Sequence, residues 1–298
     1  MGHGIAQEFA IAGYDVHLHD LSEDILHKAD QNIQDNLQKL TEIGLVTSEQ
    51  ARSAPDHLHF STELDHVVAD TDLVIEAISE DLEIKQNVYR TLDELCPDRT
   101  ILASNTSSLL PSRLAEVTQR PDKVLVTHYF NPPHLLPLVE IVRGEQTSDE
   151  TVNTVYDLMS GIGKSPVIVQ KEVPGFIGNR LQAALFREAL SLVESGVATP
   201  QDVDMVIKSS FGRRLAAAGV FEVWEIAGWD LALAILENLV PDLESSPDVS
   251  GLLKDKVARG ELGTKTEKGF YEWTPESIGE LKEKIAETLV EIAKLRNS

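Results

Sequence analysis

The pattern that most constrains this chain is a periodicity that changes partway along it. From Val16 onward, short β-branched runs alternate with stretches of helical spacing, and after about Lys171 the runs stop while the helical spacing continues. Alternating strand and helix signals indicate parallel strands joined by crossover helices, because a parallel connection must carry the chain back to the same end of the sheet. Strands are expected at 16–19, 73–78, 101–104, 124–130, 138–142 and 167–170. After Ser22, an N-cap residue followed by Glu23 and Asp24, a long amphipathic helix is expected to carry Ile25, Ala29, Ile33, Leu37 and Leu40 and to end near Gly44. The chain therefore reads as an α/β domain over residues 1–172 and an all-α domain over 173–298. In the second, Thr199-Pro200 and Thr274-Pro275 look like helix starts. The last helix bears an apolar stripe of Ile278, Leu281, Ile285, Leu289 and Ile292 that needs a partner in the core or in another subunit.

Composition narrows the function classes. The 298 residues suit two domains, and 42% hydrophobic with 25% charged residues is ordinary globular usage. A net charge of −23 repels nucleic acid and anionic membranes, and no basic patch or membrane-length apolar run counters it. Neither partner is expected. The single cysteine, Cys96, allows no internal disulfide and no four-cysteine zinc site. It fits a reducing, cytoplasmic location, and no metal is expected.

The chemistry-bearing residues begin at the first helix, Gly2-His3-Gly4-Ile5-Ala6-Gln7-Glu8-Phe9, closed by Gly13. It resembles the tail of a strand, glycine turn, helix motif whose helix N-terminus holds a pyrophosphate. Asp20 ends the next strand, 18 residues after Gly2, near the spacing at which an acid binds the adenosine ribose of NAD and disfavours NADP. Read alone, a glycine-rich helix start and a cap-region acid are equally good accounts of these residues. Further on stand Ser104-Asn105-Thr106-Ser107-Ser108, then His128-Tyr129-Phe130-Asn131-Pro132-Pro133, Glu140, and Pro174-Gly175-Phe176-Ile177-Gly178-Asn179-Arg180. An imidazole can accept and donate a proton near neutral pH, but read alone His128 is a histidine on an apolar strand, more often structural than catalytic.

With these motifs in this order, ending in Leu262-Gly263-Thr264-Lys265-Thr266-Glu267-Lys268-Gly269-Phe270-Tyr271, the chain resembles the 3-hydroxyacyl-CoA dehydrogenase family over essentially its whole length. The resemblance implies a Rossmann-type NAD domain followed by a helical domain that pairs two subunits into a homodimer. It implies NAD-linked, reversible oxidation of an (S)-3-hydroxyacyl-CoA, short-chain and 3-hydroxybutyryl-like, in fatty acid metabolism. His128 then matches the catalytic base and Glu140 its orienting partner, with Ser107 and Asn179 bonding the substrate oxygen. Cofactor positions carry over to Gly2, Asp20, Ala77, Glu80, Lys85, Ser107, Asn131 and Lys265. Read without the family, Lys85 and Lys265 are solvated charges.

Three departures from the family pattern matter. The first strand of the NAD domain, with its phosphate loop, is missing. That strand would lie mid-sheet, so an open centre is expected, and a start some two dozen residues upstream would account for it. The serine and lysine that coenzyme A users place on the helix after Asp20 align with Asn36 and Ile43. Finally, Gly219-Val220-Phe221-Glu222 stands where a Met-Gly-Pro-Phe-Glu type turn is expected, preceded by Arg213-Arg214, which suit a carboxylate or equally a solvated surface. These keep a second expectation open, a free hydroxy acid of gulonate, carnitine or pyridine-carboxylate type. A third, a non-catalytic family member or remnant, is disfavoured by the intact Ser107, His128, Glu140 and Asn179 set.

Overall fold

The structure is a computed structural model that describes residues 1–296. Helix α1 (Gly2–Ile11) leads into β1 (Val16–His19), then α2 (Glu23–Glu42), α3 (Ser48–Ser53), β2 (Leu58–Ser61), α4 (Leu64–Val68), β3 (Leu73–Glu76), α5 (Leu82–Leu95), β4 (Ile101–Ser104) and α6 (Pro111–Ala115). There follow β5 (Val124–Tyr129), β6 (Leu138–Arg143), α7 (Asp149–Gly161) and β7 (Ser165–Val169). Beyond β7 the described residues form helices and no further strand: α8 (Gly178–Glu194), α9 (Pro200–Ser209), α10 (Phe211–Leu215), α11 (Val220–Ala227), α12 (Trp229–Leu239), α13 (Gly251–Ala258) and α14 (Pro275–Arg296). The chain forms two compact units, Met1–Arg180 with Leu289–Ser298, and Leu181–Thr288.

In the first unit the strands make two sheets. β1 and β2 pair in parallel, and β3, β4, β5, β6 and β7 pair in that order. Among the described residues no strand joins β1 to β3, so the sheet is open at its centre. One helix covers both parts. Ile5 and Phe9 of α1 pack with Ile101, Ala103, Leu125 and Ile141, a cluster that also takes Val16 of β1 and Leu73 and Ile75 of β3. Ala6 and Ala10, on the neighbouring face of α1, pack with Ile33 and Leu37 of α2 and Leu58 of β2. Apolar contact from one amphipathic helix thus takes the place of ladder hydrogen bonds between the sheets.

Four local readings need correction. The strands are not all parallel: β5 and β6 run antiparallel, with His128 opposite Glu140. Residues 130–137 are too few for the crossover of a dozen or more residues that a parallel pair requires. Strand β2 was not expected, because its short Leu-His-Phe-Ser run carries two apolar residues, yet Leu58 and Phe60 turn inward while His59 faces out. Along α2, Leu26 rather than Ile25 starts the buried stripe with Ile33, Leu37 and Leu40, leaving Ile25 half exposed, and Ser22 makes no side-chain capping bond. Strand β7 starts at Ser165, two residues before the expected run, because Pro166 is tolerated in a strand at the sheet edge. Thr199 does cap α9, accepting from Asp202 N–H at 3.2 Å and donating its hydroxyl to Asp202 Oδ2 at 2.6 Å. No helix among the described residues is long and apolar enough to cross a membrane.

Leu125 is fully buried at the centre of the α1-covered cluster. Leu125→Ala is expected to lower the unfolding free energy by about 2–5 kcal/mol, read from a shifted urea midpoint at unchanged slope.

Candidate active site

The antiparallel pairing of β5 and β6 sets His128 directly across from Glu140, and His128 Nδ1 lies 2.7 Å from Glu140 Oε2. Both side chains are almost wholly buried. An ionised carboxylate only accepts, so the proton of the imidazole resides on Nδ1, and Nε2 keeps a lone pair that can accept a hydrogen bond or a proton. The rings of Phe130 and Phe176 stand beside the imidazole, with centroids 4.7 and 5.5 Å away.

Glu140 is held at its other oxygen as well. Oε1 accepts the N–H groups of Ile177 and Gly178, each at 2.9 Å, where α8 begins. Gly175 and Phe176 adopt positive φ, 78° and 52°. A left-handed turn there aims the next two amides at one point, which suits an anion. For a bulky residue this backbone is strained, and the complete burial of Phe176 holds it in place. Burial opposes the charge on Glu140, but the bonds from His128, Gly178 and Ile177 outweigh it and hold the carboxyl below its ordinary range. Gly178 carries no side chain for a steric reason, since a Cβ there would lie 2.5 Å from Phe130 Cζ.

The same turn delivers Asn179, whose Nδ2 donates to Ser107 O at 3.2 Å. Ser107 stands on the turn after β4, and that turn is gathered by Glu80. Glu80 Oε1 accepts from Thr106 Oγ1 at 2.5 Å, Ser107 N–H at 3.0 Å and Ser108 N–H at 3.2 Å. Burial works against the Glu80 charge, while the Thr106 and Ser108 hydroxyls, then Lys85 and the Ser107 amide, prevail and lower its pKa. A cavity of about 310 Å³ opens among these groups, lined by Met1, Ala77, Ile78, Asn105, Ser107, His128, Tyr129, Phe130, Asn131 and Asn179. It brings together six residues expected from the sequence: Ala77, Ser107, His128, Asn131, Asn179 and, through His128, Glu140.

The donor set fits NAD. Gly2 opens α1 beside Ala77, where an added Cβ would sit 4.0 Å from that of Ala77, so two small residues leave room at a helix N-terminus, the usual seat of a phosphate. Asp20, just past β1, is oriented by the Ser22 N–H at 3.2 Å. Lys85 differs from a solvated cation: it is 1% exposed and its Nζ lies 2.6 Å from Glu76 Oε1. Lys265, Arg213 and Arg214 belong to the second unit, where each is exposed. Glu76, Asn105, Phe130 and Phe176 were missed as site residues. A glutamate ending the apolar run Leu73-Val74-Ile75 was the available signal for the first. The left-handed turn at Phe176 has no such signal.

Comparison with known proteins agrees with this geometry. Residues 1–173 match the family model of the 3-hydroxyacyl-CoA dehydrogenase NAD binding domain, and residues 175–273 match that of the 3-hydroxyacyl-CoA dehydrogenase C-terminal domain. The chain is a member of the 3-hydroxyacyl-CoA dehydrogenase family, an NAD-dependent oxidoreductase with a Rossmann-like domain and a helical one. It is 36% identical over 274 residues to a 3-hydroxybutyryl-CoA dehydrogenase of Clostridioides difficile, covering 92% of this chain and 96% of that one. It is 33% identical over 295 residues to 5-formyl-3-hydroxy-2-methylpyridine 4-carboxylate 5-dehydrogenase of Mesorhizobium japonicum, covering 99% and 94%. Among solved structures, a 5-formyl-3-hydroxy-2-methylpyridine 4-carboxylic acid 5-dehydrogenase, described as an NAD+-dependent dismutase, superposes with a TM-score of 0.93, at 33% identity over 99% of this chain and 94% of that one. The (S)-3-hydroxybutyryl-CoA dehydrogenase of Ralstonia eutropha gives 0.77 at 34% identity, over 92% of this chain and 95% of that one.

Two outcomes test this geometry. Gly178→Ala must displace Phe130 from beside His128, and it is expected to lower kcat by about 10²-fold, as misplacement of a reacting group does, with the folded state retained by circular dichroism. The second concerns His134, beside Gly4 of α1. Burial, aided by Lys164, His3 and Lys39, lowers its pKa from 6.5 to about 4. Between those values the unfolded chain binds the proton and the folded one does not, so this contribution is complete above pH 6.5 and fades as pH falls toward 4. His134→Phe is expected to flatten the stability profile across that window in urea titrations.

Proposed function

We propose that His128 removes the proton from a substrate 3-hydroxyl as the hydrogen on the same carbon departs as hydride, and that the substrate is a short-chain (S)-3-hydroxyacyl-CoA. The observation that carries this reading is the buried His128–Glu140 pair, with Nε2 left for the substrate at the wall of the cavity. NAD, when bound, supplies the hydride acceptor. Gly2, Asp20, Ala77, Glu80 and Asn131 are the groups of the first unit that would hold it. His128 takes the proton on Nε2, and the Glu140 carboxylate balances the imidazolium without giving up its own charge. Ser107 Oγ and Asn179 Nδ2 supply donors for the oxygen while the carbonyl forms, and Phe130 and Phe176 keep water from the imidazole. In the reverse direction the imidazolium returns the proton to the alkoxide. The 3-hydroxybutyryl-CoA dehydrogenases among the relatives support this choice of substrate.

A second reading, a free hydroxy or formyl carboxylate such as a substituted pyridine carboxylate, is favoured by two particular facts. The pyridine-carboxylate enzyme superposes over 99% of the chain. Helix α2 and its C-cap, where coenzyme A users are expected to have a serine and a lysine, present Asn36 and Ile43, and the helix carries five acids and two lysines, a poor surface for the coenzyme A phosphates. Arg213 and Arg214, two exposed cations of the second unit, suit a carboxylate. Loss of NADH absorbance with acetoacetyl-CoA, against free acetoacetate and a pyridine carboxaldehyde carboxylate in parallel, separates the two. Consumption with the CoA ester alone supports the first reading, and consumption with the free acids alone overturns it.

The helical unit leaves Phe221, Ile226 and Trp229 exposed by 79%, 86% and 50%. So much aromatic and branched surface on α11 and α12 suits burial against a second copy and supports a homodimer. A free, buried Cys96 suits a reducing cytoplasm. His128→Ala is expected to lower kcat by about 10²–10⁴-fold while NADH affinity by fluorescence titration is retained. Ile226→Glu is expected to shift the sedimentation coefficient from dimer to monomer.

A further inference from the structure

Below the ends of β3 and β4 lies a charged group that the reaction just described does not use. Glu76, the last residue of β3, is 5% exposed. Its Oε1 accepts Lys85 Nζ at 2.6 Å and Ile78 N–H at 2.7 Å, and its Oε2 accepts Ser104 Oγ at 2.6 Å. Its backbone carbonyl accepts Asn105 N–H at 2.7 Å. One residue therefore ties down both loops that leave the sheet toward the cavity, 77–80 after β3 and 105–108 after β4. Lys85 is shared. Its ammonium also stands 3.6 Å from Glu80 Oε2, and Glu80 Oε1 is the acceptor that gathers Thr106, Ser107 and Ser108.

A buried ammonium must lie against an anion, because an uncompensated charge inside a protein is strongly destabilising. With Glu76 ionised, that need is met within the core, and Glu80 is left to the turn. With Glu76 neutral, the remaining carboxylate in reach of Lys85 is Glu80, and cation and turn compete for it. We propose that Glu76 is a positioning residue for the NAD-linked reaction: by holding Lys85 it keeps Glu80 on the 106–108 turn and so sets the place of Ser107. Lys85 accordingly acts through Glu80 rather than on the cofactor. The inference rests on the assignment of Ser107 and Glu80 to the cofactor site.

The test uses Glu76→Gln, which keeps the shape and the acceptor for Ile78 N–H and removes the charge. Two readouts are taken at a temperature well below each variant's melting midpoint: NADH affinity by fluorescence titration, and amide exchange of the 106–108 turn by mass spectrometry. The single variant is expected to bind NADH about tenfold more weakly, the scale of one lost charge-assisted hydrogen bond, and to exchange faster in the turn. Adding Lys85→Met removes the competing ammonium, and the double variant is expected to recover affinity to within about threefold of wild type with protection of the turn restored. A lowered melting midpoint with unchanged affinity and exchange would mean a purely structural role and would overturn the proposal. A double variant no better than the single one would overturn the route through Glu80. Failure of the wild type to bind NADH would instead count against the assignment of the site, and turn exchange would still judge Glu76.

Discussion

A single carboxylate holds the site together. Glu140 meets His128 with one oxygen and the first amides of α8 with the other, so β5, β6 and the start of the helical chain are tied at one buried charge. A carboxylate removed from water needs its lone pairs filled, and each neighbour that fills one is thereby fixed in position. The His128 ring takes its orientation from this bond, and Asn179 takes its place from the same turn that bends at Gly175 and Phe176. Packing finishes the arrangement, since Phe130 occupies the volume that a side chain at residue 178 would need.

Much of this was legible in the sequence, for identifiable reasons. Alternating periodicity marks a sheet with crossovers wherever strands are rich in branched residues, and six of the seven strands were read that way. The seventh, β2, hides because its histidine and serine imitate a loop until the alternate burial of Leu58 and Phe60 is seen. His128 and Glu140 were picked out through the family resemblance, because their pairing depends on an antiparallel step that spacing alone does not reveal. Lys85 shows the opposite failure. A lysine on a helix reads as solvated, and only the third dimension places it against Glu76. Long-range pairing, whether of strands or of buried charges, is the information that local sequence carries least.

The distribution of charge has a related logic. Cations are scarce in a chain with 26 lysines and arginines against 49 acids. Yet Lys85 and Lys164 are buried against Glu76 and Glu8, and Arg120 against Asp93. Lys164 also donates to Pro133 O at 2.6 Å, and so steadies the loop that holds Asn131. Each of these pairs is neutral, so burying them leaves the net negative charge of the chain to its solvent-facing shell.

The hairpin that carries the dyad has one more property. Strand pairing sets His128 opposite Glu140, and the burial of β5 and β6 specifies that register strongly. A slip by one residue would turn Glu140 to the far face and destroy the pair, whereas an insertion at the tip would leave it intact. The buried pair and the outer part of the tip are therefore separately heritable: descendants of such a chain can change residues 132–137 while the His128–Glu140 pair is passed on unaltered.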